Sequence, residues 1–279
     1  MKKNLIIAGC IIIAVMCVAG VSFHKMFQRF MAVETIQYDP QLTIYLGGGG
    51  NSIVLTSEDG SMALVVDTKM GGAAKKLRDE VKAKDIIVVN THLHRDHIGG
   101  NMLYPGAKII SGAYTQEQWK ANANNNRYPD ETVKPNEEIV EKIGTETVHI
   151  RNMGQAHTWN DIVVYCENRK LLVTGDILFI AMHPVLFTKT GANVASWVAI
   201  LDSLNNRYLA RAVVPGHGKV CDQGALMTMK DYFVSIGDAI GNPEKQAALK
   251  RKYKSYFKVP GMSGLEKTLA FIENERKSH

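Results

Sequence analysis

The sequence predicts one α/β domain with its strands inside and its helices outside. The chain has 279 residues, of which 46% are apolar, and this is enough to bury a substantial core. Short apolar runs typical of strands alternate with stretches of helical spacing, and no linker composition separates them. With 22% charged residues, the composition is that of an ordinary globular protein rather than a disordered one. The four cysteines are too few for a disulfide-stapled miniprotein or a Cys-rich zinc ribbon.

Residues 1–22 are predicted to be a targeting segment outside this domain. Lys2 and Lys3 form a positive start, and residues 5–21 are uncharged and almost wholly apolar. Two interpretations stay open, a cleaved signal peptide and a retained membrane anchor formed by residues 5–21. Lipidation at Cys10 is a weaker third interpretation, because the apolar run before it is short. Each of these interpretations places the domain in the bacterial periplasm or at the outer face of the cytoplasmic membrane.

The predicted elements follow from periodicity and turn residues. Strands are predicted at 42–46, 52–56, 62–67, 85–90, 147–150, 162–166, 171–174 and 212–214. Helical spacing predicts helices at 72–84, 194–205, 225–240 and 244–257, the last two closing the chain. Residues 115–138 are polar and rich in Asn, which favours a helix followed by a surface excursion. The glycine run at 47–50 lacks the Lys-Ser/Thr end of a phosphate loop, so we interpret it as a flexible strand connection.

Two cysteines, Cys166 and Cys221, lie in the domain. In an oxidising compartment they could form a disulfide. Two small buried side chains are the simpler interpretation and the one we favour.

A histidine cluster follows the strand predicted at 85–90. The run reads His92-Leu93-His94-Arg95-Asp96-His97, and such strand ends are where ligands bind in α/β folds. Alternate residues of extended backbone point the same way, so His92 and His94 can hold one metal ion. Asp96 and His97 come after the chain turns and can face a second ion.

Three more candidate ligands follow later predicted strands. His157, Asp176 and His217 each occur beside glycine or another small residue, and we expect each to lie in a short loop. With the cluster they supply five imidazoles and two carboxylates, about what two zinc ions with open positions require. Nitrogen and oxygen ligands without Cys suit zinc, and iron or manganese stay open as alternatives.

These motifs resemble those of the metallo-β-lactamase superfamily over roughly residues 40–220. The resemblance implies a four-layer αβ/βα sandwich, with two facing sheets and helices outside. It further implies a domain at 35–240, and we expect residues 241–279 to be a C-terminal helical extension packed on it. In the family pattern one zinc is held by His92, His94 and His157, the other by Asp96, His97 and His217, and Asp176 bridges them.

The residue at the bridging position indicates which branch of the superfamily the sequence resembles. True zinc β-lactamases usually have Cys or another residue there, whereas an aspartate such as Asp176 is similar to the glyoxalase II, lactonase and general metallohydrolase branches. The expected function is therefore binuclear zinc-dependent hydrolysis of an ester, thioester or lactone. Two zinc ions would lower the pKa of a shared water to near neutrality, and the resulting hydroxide would attack the carbonyl carbon. Asp96 would orient that hydroxide or carry a proton, which makes it the predicted catalytic residue.

Three other functions remain as alternatives. They are β-lactam hydrolysis, a single-iron oxidation of sulfur compounds as in persulfide dioxygenases, and metal-dependent binding without catalysis. The complete ligand set argues against the last two. The expected partner is a small-molecule substrate, and a net charge of +6 is too modest to indicate nucleic acid.

Four residues are candidates for supporting roles. Asp67 resembles the early strand-end aspartate of the family and is expected to steady the ligand loop, with a simple turn residue as the alternative. Trp159 and Phe187 flank ligand loops and are expected to form an apolar wall of the substrate cleft. His183 follows the Asp176 segment and is a further cleft candidate, although an ordinary loop histidine explains it as well.

Overall fold

A computed structural model gives the structure of residues 32–123 and 126–278. The predicted signal peptide or anchor at residues 1–22 therefore lies outside the described residues. Within the two described ranges, no helix combines the length and the apolar character needed to cross a membrane.

Seven strands form the first sheet, and they are hydrogen-bonded in chain order. They are β1 (Val33–Gln37), β2 (Leu42–Gly47), β3 (Ser52–Thr56), β4 (Met62–Val66), β5 (Asp85–Val89), β6 (Lys108–Gly112) and β7 (Glu131–Val133). Neighbours from β1 to β4 run antiparallel, whereas β4, β5, β6 and β7 run parallel to one another. The carboxyl ends of β4 and β5 consequently lie at the same edge, which is where Asp67 and the histidine cluster begin.

Five strands form the second sheet in the order β12-β11-β10-β9-β8. They are β8 (Glu138–Ile143), β9 (Glu146–Asn152), β10 (Ile162–Cys166), β11 (Leu171–Phe179) and β12 (Ala212–His217). The pair β12 and β11, which begins the sheet, runs parallel, and the other neighbours run antiparallel. This parallel pair brings Asp176 and His217 to one edge of the sheet.

The main core lies between the two sheets. Because side chains alternate across a strand, Leu42 and Ile44 of β2 face inward, and from the other sheet Val148 and Ile150 of β9 meet them. All four side chains are fully buried. Each such side chain stabilises the fold by roughly 1.5–3 kcal/mol relative to its exposed state.

Helices cover the outer faces of both sheets. They are α1 (Gly71–Glu80), α2 (Arg95–Ile98), α3 (Gln116–Asn122), α4 (Val194–Arg207), α5 (Gly224–Gly237), α6 (Pro243–Lys252) and α7 (Leu265–Lys277), with 3-10 turns at Asn101–Leu103 and Thr188–Thr190. Leu77 of α1 packs against the first sheet. Trp197 of α4, Phe233 of α5 and Ile272 of α7 share one apolar cluster on the second sheet. The observed layers match the predicted αβ/βα sandwich.

The structure adds elements that the sequence patterns did not predict. Strand β7 lies inside the predicted surface excursion, at the sheet edge, where the partly exposed Glu131 pairs with Lys108. The prediction of two closing helices is wrong, since α7 forms a third. Its buried residues Leu265, Thr268 and Ile272 recur at helical spacing. Strands β1, β6 and β8 were also missed.

Both domain cysteines are free thiols in this structure. Cys166 is fully buried in β10, and burial raises the pKa of its thiol to about 12. Cys221 is partly buried, and its pKa is likewise raised to about 12 by burial. Two unpaired side chains are what the favoured interpretation expected.

Candidate metal centre

The first candidate group comprises His92, His94, His157 and Asp176. Nδ1 of His94 lies 3.1 Å from Nε2 of His92 and 2.8 Å from Nε2 of His157. Oδ2 of Asp176 lies 3.2 Å from Nε2 of His157 and 3.8 Å from Nε2 of His92. Three nitrogens and one carboxylate oxygen therefore converge on one point.

The second candidate group comprises Asp96, His97 and His217. Oδ2 of Asp96 lies 3.2 Å from Nε2 of His217 and 3.7 Å from Nε2 of His97. The other oxygen of Asp176, Oδ1, lies 3.1 Å from Nε2 of His97 and 3.4 Å from Nε2 of His217. Asp176 thus presents one carboxylate oxygen to each group.

Asp176 reaches both groups from within β11, and the expectation of a short loop is wrong for this residue. The pairing of β11 with β12 shifts register around it, and Gly175 has a φ of +53°. A Cβ added at Gly216 of β12 would lie 1.9 Å from Oδ1 of Asp176. Glycine at this position therefore gives the carboxylate its space. His217 also ends a strand, β12, rather than lying in a separate loop.

The donor set fits metal ions. Nε2 of His97 and Oδ1 of Asp176 are buried 3.1 Å apart, but neither atom forms a hydrogen bond of good geometry within the described part of the chain. Buried polar atoms without partners are costly, and a cation at this point would satisfy them. Imidazole and carboxylate ligands suit zinc and also iron or manganese.

Burial and neighbouring charges shift the pKa values of the candidate ligands in different directions. Burial, with the neighbouring His157, lowers the pKa of His94 to about 3, so this imidazole is neutral and able to bind a metal ion. Burial opposes ionisation of Asp176, but the surrounding imidazoles more than offset it and hold the pKa of that carboxyl well below its usual value. Burial also disfavours charge on His217, yet Asp176 and Asp96 together raise its pKa to about 9.

Asp67 contacts His97 of the second group. Its Oδ2 is 2.6 Å from Nδ1 of His97, and it accepts hydrogen bonds from the backbone N–H and the hydroxyl of Thr91, at 2.8 and 2.7 Å. A carboxylate in this position orients the imidazole and fixes which of its nitrogens faces the metal. The role of Asp67 in steadying the ligand loop stays a prediction.

Lys69 is a supporting residue that the sequence analysis missed. Its side chain is fully buried, and Nζ donates to the carbonyls of Tyr45 at 2.9 Å, Gly50 at 2.7 Å and Gly47. Its backbone has a φ of +60°, which is unusual for a lysine, and burial lowers the pKa of its amine to about 7. These hydrogen bonds therefore fix the backbone of the glycine run at 47–50.

The same glycine run packs directly on the second group. A Cβ at Gly50 would lie 2.3 Å from Cε1 of His97, and one at Gly49 would lie 2.9 Å from Cβ of Asp96. The Gly50 N–H also donates to the carbonyl of Asp96 at 3.2 Å. The interpretation of this run as merely a flexible connection is replaced by a close backbone approach to the ligands.

A second missed residue, Asp161, organises the loop that carries His157. Its carboxylate accepts hydrogen bonds from the backbone N–H groups of Ala156 and Thr158, at 3.1 and 2.9 Å, and from the Thr158 hydroxyl. Burial raises the pKa of Asp161 to about 6. A signal was present, since an aspartate that bonds nearby backbone N–H groups is common in tight loops.

A cavity of about 390 Å³ opens over the two groups. Five candidate ligands reach it: His94, Asp96, His157, Asp176 and His217. Its apolar lining consists of Met70, Phe179, Met182, Val185, Phe187, Val259 and Met262, and its remaining polar lining is Arg95 and Asn122.

The three predicted cleft residues fall in different places. Phe187 lines the cavity, with its ring centroid 5.8 Å from that of His94. Trp159 is not among the lining residues and packs on a small apolar cluster with Leu93. His183 faces away from the cavity, with Nδ1 2.7 Å from the Tyr232 hydroxyl. Which way these two side chains point is set by tertiary packing.

Comparison with known proteins identifies relatives of this chain. The family model described as "Metallo-beta-lactamase superfamily" matches residues 45–217. A metallo-beta-lactamase type 2 from Bacillus sp. (strain 170) is 30% identical over 190 residues, which cover 65% of this chain and 71% of that protein. The metallo-beta-lactamase type 2 of Bacillus cereus is 30% identical over the same length, covering 65% and 72%. A solved metallo-beta-lactamase from Pontibacter korlensis has a TM-score of 0.61 at 22% identity, covering 72% of this chain and 98% of that one, which supports the fold.

Proposed function

The chain belongs to the metallo-beta-lactamase superfamily, and on that basis we propose that it is a two-zinc hydrolase of an ester, thioester or lactone. The observation that carries the proposal is the Asp176 carboxylate, which offers Oδ1 to one group of candidate ligands and Oδ2 to the other. An aspartate that bridges two metal positions resembles the glyoxalase II and lactonase branches of the superfamily. The two complete groups favour two ions over the single iron of a sulfur oxygenase.

In this proposal the seven ligands hold two zinc ions. His92, His94 and His157 would hold one, Asp96, His97 and His217 would hold the other, and Asp176 would contact both. When bound, such ions lower the pKa of water towards neutrality and polarise an acyl carbonyl.

Asp96 is the proposed catalytic residue. Its side chain is 23% exposed and lines the cavity, so it can reach a substrate as well as a metal ion. Burial disfavours its charge, but His97 and His217 hold the pKa of its carboxyl far below the usual value. The carboxylate is therefore ionised at neutral pH, and Oδ2 can orient the attacking water or accept a proton from it.

β-Lactam hydrolysis is the second candidate. The observation that favours it is that both Bacillus relatives, at 30% identity, are named metallo-beta-lactamases. Turnover of a chromogenic cephalosporin at a rate above that for simple esters would move the assignment to this reaction.

Two proposals about organisation accompany this function. The apolar segment at residues 5–21 supports reaction outside the cytoplasm. Residues 241–279 are proposed to extend the same domain, because Leu249, Tyr253 and Leu265 share an apolar cluster with Trp197.

Metal content per chain, measured by mass spectrometry, tests the proposal. We expect about two zinc ions per chain in the wild type and a loss of at least one in Asp176→Ala, together with loss of ester and lactone hydrolysis. Asp231→Ala is the matched control, because it makes the same change at an exposed position of α5. One iron per chain, or two retained zinc ions in Asp176→Ala, would contradict the proposal.

A further inference from the structure

The wall of the metal cavity is largely apolar. Apart from the five ligands, seven of its nine lining residues are apolar, and of the two polar ones Arg95 is exposed to solvent. The ring of Phe187, one of these apolar residues, lies beside the ring of His94 in the first group. A bound molecule would therefore place its reacting bond at the two groups of candidate ligands and an apolar portion against the apolar lining of the cavity.

Part of the wall comes from a segment beyond the family match. Val259 and Met262 line the cavity, and they lie in a stretch, residues 257–263, that follows α6. The match to the family model ends at residue 217, so this stretch lies outside the matched residues. We call it the C-terminal wall.

The C-terminal wall is held by backbone hydrogen bonds. His183 N–H donates to the carbonyl of Phe257 at 2.8 Å, and Phe257 N–H donates to the carbonyl of Ala181 at 2.9 Å. At its other end, Ser263 pairs with Val185, which itself lines the cavity. The two ends are thus joined to the stretch at 181–185.

The turn within the wall is also fixed. The N–H groups of Met262 and Ser263 donate to the carbonyl of Val259, at 3.0 and 3.1 Å. In return, the Ser263 hydroxyl accepts from Val259 N–H at 2.9 Å, and Ser263 is 5% exposed. Val259 and Met262 are therefore presented to the cavity by a preformed surface rather than by a loose tail.

Two apolar side chains of the cavity are left open to water. Met262 is 45% exposed and Phe187 is 36% exposed. An apolar patch that is continuous with a candidate reaction site is a place where apolar ligand atoms gain by leaving water.

We propose that the C-terminal wall forms a subsite for a straight apolar acyl chain, so that the substrate is an acyl ester, thioester or lactone whose chain lies against Val259 and Met262. This rests on the proposed function and names its substrate class. The ligand is recognised by burial of its methylene groups, since the wall offers few polar partners.

The first experiment measures kcat/KM for esters of one alcohol with straight acyl chains from acetyl to octanoyl. In the wild type we expect kcat/KM to rise about threefold to fourfold for each methylene that enters the subsite. In Met262→Gln and Val259→Asn the rise with chain length should flatten, so that the loss of kcat/KM grows from the acetyl to the octanoyl ester. Met102→Gln is the matched control, because Met102 is 63% exposed and does not line the cavity.

The second experiment separates this proposal from the hydrolase assignment. Binding of straight-chain carboxylates, from acetate to octanoate, is measured by calorimetry on the zinc-loaded protein. Tighter binding with each methylene, lost in Met262→Gln, supports the subsite even if no ester is hydrolysed, and in that case only the proposed function fails. Hydrolysis or binding that is independent of chain length in the wild type overturns the subsite and leaves the hydrolase intact.

Discussion

Replacement of Lys69 by methionine should destabilise the fold and weaken the second group of candidate ligands. The ammonium donates hydrogen bonds to the carbonyls of Tyr45, Gly47 and Gly50, and methionine fills similar space without a donor. A buried acceptor left without its donor costs about 1–3 kcal/mol, and the loss is partly offset because no charge is buried. We expect the free energy of unfolding to fall by roughly 3 kcal/mol, a large share of the ~5–15 kcal/mol of a typical domain.

The effect should reach the metal site through the glycine run. Gly50 lies against the His97 ring and donates to the Asp96 carbonyl, so a loosened run leaves both ligands less fixed. Unfolding by denaturant is measured with a chelator present, and metal affinity is measured separately by titration. The second ion should be held more weakly in Lys69→Met, with a smaller change for the first.

Two further variants make the Lys69 result decisive. Lys76→Met makes the same chemical change at an exposed position of α1 and should unfold like the wild type. Lys69→Gly removes the left-handed strain of a φ of +60°, which returns about 1–2 kcal/mol, but it also removes the ammonium and should still be destabilised. The reasoning is refuted if Lys69→Met and Lys76→Met unfold at the same denaturant concentration and both keep two metal ions.

Two other residues yield separate predictions. Asp67→Asn, which weakens the contact to Nδ1 of His97, should lower metal affinity by about 10–100-fold in a zinc titration, and unchanged affinity would argue against a positioning role. Partial burial lowers the pKa of His149, but Glu167 and Glu138 more than offset this and raise it above 6.5. Its stabilising contribution is therefore fully present below about pH 6.5 and is lost as pH rises through the folded-state pKa, so His149→Gln should lose more stability near pH 5 than near pH 9.

Local signals account for the elements that the sequence predicted. Strands β3 and β10 match the predicted ranges because each is a short apolar run bounded by turn residues. The polar strand β7 and the exposed strand β1 carry no such run, since each lies at an edge of the first sheet and faces water. Their pairing depends on neighbours elsewhere in the chain.

The candidate site likewise contains residues that the sequence predicts and residues that it does not. The cluster at 92–97 and the later ligands were found because their chemistry is visible in the residue types. The function of Lys69 was not, since its three acceptors are backbone carbonyls 19 to 24 residues away. Trp159 and His183 flank ligand segments in sequence, yet packing turns both away from the cavity.

Each group of ligands draws on both sheets, and this has a consequence for the folding of the chain. His92 and His97 follow β5 of the first sheet, whereas Asp176 and His217 belong to strands of the second. An ion held by either group is therefore a cross-link between the two halves of the sandwich, comparable to a disulfide that closes a long loop. Chelation should then act on stability as reduction of such a disulfide would, and the holoprotein should resist unfolding by more than the metal's local contacts suggest.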